Sequence, residues 1–154
     1  MLLLIIRHGE ANNPVLDPKK GLSEKGVRQA EKIAGFLRKQ QSGISEIWHS
    51  PKQRAFQTAG VIAEILEPEP ALVKRNNLNP ENAVEPVVQD LEMLDRNLII
   101  VSHLPFVDRL ASFLATYNYN SSLFKFSTCG SVCLEKSDSS FWRIRWVISP
   151  ENLG

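Results

Sequence analysis

Two short runs of the sequence, Leu2 to Ile6 and Leu98 to Val101, are apolar at every position. A strand with one wet face alternates apolar and polar residues; an unbroken apolar run suits a strand covered on both faces, as in a parallel sheet. Such a sheet needs helices on either side, and the intervening sequence supplies them. Ser23 to Gln40 carries Val27, Ala30, Ala34 and Leu37 as one apolar stripe against Lys25, Arg28, Lys32 and Lys39, with Ser23 as N-cap. Ile44 to Trp48, bounded by Ser42-Gly43 and Ser50-Pro51, reads as a third parallel strand. A second helix then follows, with Ser50 as cap, Pro51 at the first helical position, Ala55, Ala59, Ile62, Ala63 and Leu66 turned inward, and Glu67-Pro68 ending it. Asn76 to Pro80 reads as loop. Helices are also expected from a start between Asn82 and Pro86 to Leu94, burying Val87, Val88, Leu91 and Leu94, and from Pro105 to Ala115, burying Phe106, Leu110, Phe113 and Leu114.

The last part changes period. Leu123 to Phe126, Ser131 to Glu135 and Phe141 to Val147 read as strands, the last two joined by a turn at Lys136 to Ser140. Trp142, Ile144 and Trp146 alternate with Arg143 and Arg145, which puts the two tryptophans on one face as core packing. Strands alternating with helices, then a closing hairpin, predict an α/β fold of layered α/β/α type, with a largely parallel central sheet that is antiparallel near one edge. The 154 residues, 43% of them hydrophobic and 23% charged, suit a single domain over residues 1–154.

Charge narrows the possible partners. Eighteen basic against seventeen acidic side chains leave a net charge of +1, too little to hold nucleic acid or an anionic membrane, so neither is an expected partner. Leu2 to Ile6 is too short to span a bilayer and runs directly into Arg7-His8-Gly9-Glu10, unlike a secretory signal, so a cytoplasmic location is expected. Cys129 and Cys133, in C-x-x-x-C spacing without a second pair or a nearby histidine, read as reduced core thiols rather than zinc ligands. A zinc site from His8, His49 and His103 is disfavoured by their dispersed spacing and the absence of acidic partners beside them, and His49 reads as structural.

The chemistry gathers at strand ends. Arg7-His8 follows the first strand, Ser50 to Arg54 the second, and His103 the strand from Leu98; in open α/β sheets, ligands bind at the carboxyl ends of the strands. Two imidazoles and two guanidiniums suit phosphoryl chemistry: arginines hold a phosphoryl group through charged bidentate hydrogen bonds while a neutral imidazole attacks phosphorus. His8 is the candidate nucleophile, with Arg7 disfavouring its protonation, and Gly9 allows close backbone approach. His103 is expected to donate to an equatorial phosphoryl oxygen alongside Arg7 and Arg54. Ser50 is a candidate phosphate contact that its capping position would equally explain, and Glu10 is open between proton donor, cap and ion-pair partner.

Arg7-His8-Gly9-Glu10-Ala11 after an apolar strand resembles the RHG motif of the histidine phosphatase (phosphoglycerate mutase-like) superfamily. Ser50-Pro51-x-x-Arg54-Ala55-x-Gln57-Thr58-Ala59 is similar to its second motif, Val101-Ser102-His103 to its third, and Leu22-Ser23-x-x-Gly26-x-x-Gln29-Ala30 to the helix start after the RHG loop. The short chain and the His103-Leu104-Pro105 continuation look most like the SixA-type phosphohistidine phosphatases. The resemblance implies hydrolysis of phosphohistidine on a signalling protein, such as a phosphotransfer domain, through a phosphohistidine on His8, with no cofactor and no metal. Lys20 stands where many SixA-type chains have an arginine, and is a candidate phosphate contact or a solvated loop lysine. Many other superfamily members draw a Glu or Asp general acid from the region between the second and third motifs; here that region is short, with Glu81 and Glu85 its candidates. An imidazole leaves phosphorus more readily than an alkoxide, so a compact site without an evident acid favours a phosphoramidate. A small phosphate monoester as substrate, such as a sugar phosphate or nucleotide, is the alternative, and a non-catalytic phospho-binding module is a third reading.

Overall fold

The computed structural model describes residues 1–154. In chain order the elements are β1 (Leu2–Arg7), α1 (Glu24–Gln40), β2 (Glu46–His49), α2 (Gln53–Ile65), β3 (Ala71–Lys74), α3 (Glu85–Glu92), β4 (Leu98–Ser102), α4 (Phe106–Thr116), β5 (Ser131–Lys136) and β6 (Trp142–Ile148), followed by a 3-10 turn at Pro150–Leu153. The strands form one six-stranded sheet in the order β3-β2-β4-β1-β5-β6. The pairs β1–β4, β2–β4 and β2–β3 are parallel, and β5 runs antiparallel to both β1 and β6.

The two unbroken apolar runs are the central strands, and their side chains divide between two cores. Leu3 and Ile5 pack with Leu98 and Ile100 against α3 and α4, while Leu4 and Ile6 pack with Ile99 and Val101 against α1 and α2. All eight are fully buried, so each gains apolar burial worth roughly 1.5 to 3 kcal/mol per side chain. The α/β/α layering follows directly. No helix is long and apolar enough to cross a membrane.

α1 begins as expected: Ser23 Oγ accepts the Gly26 N–H at 3.0 Å. Its buried stripe runs through Ala30, Ile33, Ala34 and Leu37, with Val27 at its margin. α2 starts at Gln53, not Pro51, and its N-cap position is Lys52 rather than Ser50, whose hydroxyl accepts the Lys52 N–H ahead of the helix and lies against His103. Strand β3 escaped the sequence reading: it is a short edge strand whose Ala71, Leu72 and Lys74 are exposed, so it lacks the apolar run that marks β1 and β4.

Leu123 to Phe126 forms no strand. The Leu123 and Phe124 N–H groups donate to Ser112 Oγ (2.9 Å) and Asp108 Oδ1 (3.0 Å) of α4, so this segment is tied to a helix instead of a ladder. Trp142 and Trp146 lie on opposite faces of the sheet rather than on one. The β5–β6 register slips between Cys133 and Leu134, pairing Cys133 with Trp146 and Leu134 with Ile144, and the extra residue Arg145 inverts the alternation. Trp142 therefore joins the core under α3 and α4, while Trp146 packs edge-on against Phe36 of α1 at 5.2 Å.

Candidate active site

Sheet order brings the three motifs together. β1 and β4 are neighbours, with Arg7 opposite Ser102, and β2 lies on the other side of β4. Past the strand ends the backbones stay joined: the His8 N–H donates to Ser102 O at 2.9 Å and the Ser50 N–H to Val101 O at 3.2 Å. His8, Ser50 and His103 are thus held at adjacent carboxyl ends, and Arg54 enters from the first turn of α2.

His8 is 8% exposed. Its Nδ1 donates to Gly9 O at 2.7 Å, which places the proton of the neutral ring on Nδ1 and leaves the Nε2 lone pair free. Burial, reinforced by the charges of Arg54 and Arg7, lowers its pKa to about 4 against the opposing effect of the Gly9 bond, so the ring is neutral at pH 7. Two glycines are needed to hold this loop. A Cβ on Gly9 would lie 2.8 Å from Gly26 O, and one on Gly26 would run into the Glu10 carbonyl. The Gly9 N–H donates to the buried Thr58 Oγ1 at 2.9 Å, fastening the loop to α2.

The His103 ring centroid is 4.9 Å from that of His8, with planes inclined at 54°. Its Nε2 lies 2.5 Å from Ser50 Oγ, which also accepts the Lys52 N–H at 3.2 Å. His103 Nδ1 is buried without a hydrogen-bond partner. Burial first, then His8, Arg54, Lys52 and Arg7, lower the pKa of His103 to about 3. Arg7 and Arg54 thus place positive charge beside both rings, and Lys52 adds to it at His103.

Arg7 donates through Nη1 to Phe126 O at 2.9 Å, while its Nε is buried without a partner. Burial lowers the pKa of both Arg7 and Arg54, but from the very high value usual for a guanidinium, so both remain charged. Lys20 is exposed, with a φ of 50°, on the rim of an open cleft of about 510 Å³ that Lys19, Lys52 and Arg54 also line. Of the candidate acids, Glu10 turns to α1, where its Oε2 accepts the Ser23 hydroxyl at 2.9 Å. Glu81 and Glu85 are exposed, and the charge of Glu85 acts on Tyr119. His49 stacks obliquely on Phe56 at 5.2 Å, and its Nδ1 donates to Ser50 O at 2.9 Å. Cys129 and Cys133 are both buried free thiols.

Three supports went unassigned in the sequence, although the motifs contain them. Thr58 holds Gly9, Gln29 Oε1 accepts the Glu10 N–H at 2.9 Å, and Gln57 Oε1 accepts the Leu22 N–H at 2.7 Å. A polar side chain on the inward face of an amphipathic helix was the available signal, since a buried amide or hydroxyl needs a partner. Lys52 carried no signal beyond its position beside Ser50.

The family model for the histidine phosphatase superfamily (branch 1) matches residues 3–79 of 154. Among solved structures, the protein histidine phosphatase SixA complexed with tungstate superposes with a TM-score of 0.87 at 28% identity, covering 100% of both chains. A putative phosphohistidine phosphatase SixA from Nakamurella multipartitia gives 0.80 at 18% identity, over 97% of this chain and 95% of that one. A putative alpha-ribazole-5'-P phosphatase from Escherichia coli K-12 gives 0.78 at 18% identity, over 97% and 98%. No curated protein sequence matches significantly. With its RHG loop, second motif and third-motif histidine meeting at the ends of β1, β2 and β4, the chain belongs to the histidine phosphatase superfamily and is a phosphatase.

Proposed function

We propose that this phosphatase hydrolyses phosphohistidine carried on a protein, acting as one domain over residues 1–154 in the cytoplasm. The observation that carries this reading is the pair of buried imidazoles 4.9 Å apart beside Arg7, Arg54 and Lys52, while the candidate acid Glu10 is bonded to Ser23 and Glu81 and Glu85 are exposed. Such a site can hold and transfer a phosphoryl group but offers no obvious proton for an alkoxide. The similarity to SixA at 28% identity supports the same substrate class.

In the proposed reaction, His8 Nε2 attacks phosphorus in line as the P–N bond to the substrate imidazole breaks, and that imidazole leaves with the bonding electron pair and picks up a proton. Arg7 and Arg54 bind the equatorial oxygens, and the N-terminus of α2 adds positive potential. Gly9, packed against Gly26 and tied by its N–H to Thr58, holds the loop that carries His8. His103, oriented by Ser50, donates to the phosphoryl oxygens when its proton lies toward them. Water then attacks phosphorus, the P–Nε2 bond breaks, and inorganic phosphate departs from a regenerated His8. Lys20, on the cleft rim, attracts the incoming anion. No step requires a metal or an organic cofactor.

The test compares phosphate release from a histidine-phosphorylated phosphotransfer domain and from an aryl phosphate, with chelator present. The reading expects the phosphoprotein to be turned over far faster, in a reaction that His8→Ala abolishes. Preference for the ester, with a large loss in Glu81→Gln or Glu85→Gln, would instead establish a small-ester phosphatase.

A further inference from the structure

The loop between β1 and α1 is tightly built yet presents its aliphatic side chains to water. Asn13 Oδ1 accepts the Val15 N–H at 2.9 Å, and Asn13 O accepts the N–H groups of Leu16 (3.0 Å) and Asp17 (2.9 Å). Asp17 in turn accepts the N–H groups of Lys19 (3.1 Å) and Gly21 (2.9 Å), while Asn12 N–H donates to Gly21 O at 2.8 Å. A loop closed this way has few ways to collapse and hide apolar groups. Val15 and Leu16 are nonetheless 87% and 86% exposed. A single exposed aliphatic is unremarkable, but an adjacent pair on a tightly bonded loop whose next residues, Pro18, Lys19 and Lys20, line the cleft beside Arg54 marks a contact surface.

The cleft that the loop borders is cationic. Lys19 and Lys20, from the same loop, face Lys52 and Arg54 across the cleft, which no acidic side chain lines. Asp17, the nearest acid in the loop, has its carboxylate occupied by backbone N–H groups and Asn12. An apolar pair next to a cationic cleft complements a protein surface with an apolar patch flanked by carboxylates. A free metabolite would use the cleft but would gain little from Val15 and Leu16.

We propose that Val15, Leu16 and Lys19 dock the protein substrate, seating an apolar, acidic-flanked surface of the partner so that its phosphohistidine reaches His8. This rests on the phosphohistidine reading above and adds the means by which a protein-borne group is preferred to a free one. Lys19 steers association, and the aliphatic pair slows dissociation.

The experiment measures kcat/KM for two substrates, a histidine-phosphorylated phosphotransfer domain and free phosphohistidine, in wild type, in the double variant Val15→Ser/Leu16→Ser and in Lys19→Ser. All three side chains are exposed, so folding is not at stake. The expected result for the double variant is a loss of about tenfold or more on the phosphoprotein, mainly through KM, with rates within about twofold on free phosphohistidine; Lys19→Ser should lose about tenfold on the phosphoprotein with weakened salt dependence, and less on free phosphohistidine. Equal effects on both substrates, or none on either, would overturn the docking role while leaving phosphohistidine hydrolysis intact. Failure of wild type to release phosphate from either substrate would remove both.

Discussion

The rings of His8 and His103 face each other at 4.9 Å, both buried and both held neutral by burial and by the surrounding arginines. Like charges at that distance in a dry site would repel strongly, so the two rings are not protonated together, and His8 must be neutral to attack phosphorus. Histidine NMR should show this directly. The ring signals of His8 and His103 are expected not to titrate from pH 8 down to about 5.5, with midpoints near 4 and 3. A midpoint near 6.5 for either ring would contradict the account.

The same shifts set a pH dependence of stability. Both folded pKa values lie below the unfolded value of 6.5, so below that pH the unfolded chain binds more protons, and stability falls with pH. The histidine contribution is fully present above about pH 6.5 and is lost as the pH falls through the folded values, to about 4 for His8 and about 3 for His103, a decline of roughly 3 kcal/mol from His8 alone and somewhat more from His103. Urea unfolding across this range should show it, and His103→Gln should flatten the slope.

Ser50 is expected to matter through His103. Removing the hydroxyl in Ser50→Ala leaves His103 Nε2 without its 2.5 Å partner in a buried place, which should destabilise the fold by about 1 to 3 kcal/mol. The freed ring can also turn, so kcat should fall by roughly tenfold or more with little change in KM. Ser50→Thr, which keeps the hydroxyl, should recover part of the rate. Unchanged kcat in Ser50→Ala would confine Ser50 to folding.

Gly26→Ala tests the packing beneath the RHG loop. The new methyl would press into the Glu10 carbonyl, and backbone on both sides must move. Denaturant unfolding should show a loss of roughly 1 to 3 kcal/mol, as for other overpacked sites, together with reduced activity because Gly9 and His8 sit on the displaced loop. Gly35→Ala, with open space around it, is the control and should be neutral or slightly stabilising.

The thiols give a further check. Cys129 is buried, with a pKa pushed up to about 12, and Cys133 to about 11, so neither carries appreciable thiolate at neutral pH. Native protein should resist alkylation by iodoacetamide, and mass spectrometry should find both cysteines modified only after denaturation.

The central fold was legible because its strands and helices carry strong, separate periods. β1 and β4 are apolar at both faces, and α1 announces itself with a stripe and a capping serine. Features made by tertiary contacts were not. β3 is a mostly exposed edge strand, Leu123 to Phe126 is captured by Asp108 and Ser112, and Arg145 reverses the tryptophan alternation through a bulge that no local pattern signals. Ser50 looked like a cap because Ser-Pro usually is one, and only the sheet order brings His103 to it. The convergence of Arg7, His8, Arg54 and His103 was readable from strand ends, whereas the hydrogen bond that frees His8 Nε2 was not.

Nucleophilic catalysis by His8 is tested most directly by trapping the intermediate. Wild-type enzyme mixed with a phosphohistidine donor and quenched within milliseconds in alkali, which preserves phosphohistidine, should carry one phosphoryl group on the peptide containing residue 8. Arg7→Ala or Arg54→Ala should form it more slowly by on the order of 3 kcal/mol of barrier, as for loss of one donor to the reacting group. His8→Ala should form none and release no phosphate. Phosphate release by His8→Ala at a rate near that of wild type, with no phosphopeptide in either protein, would contradict the account.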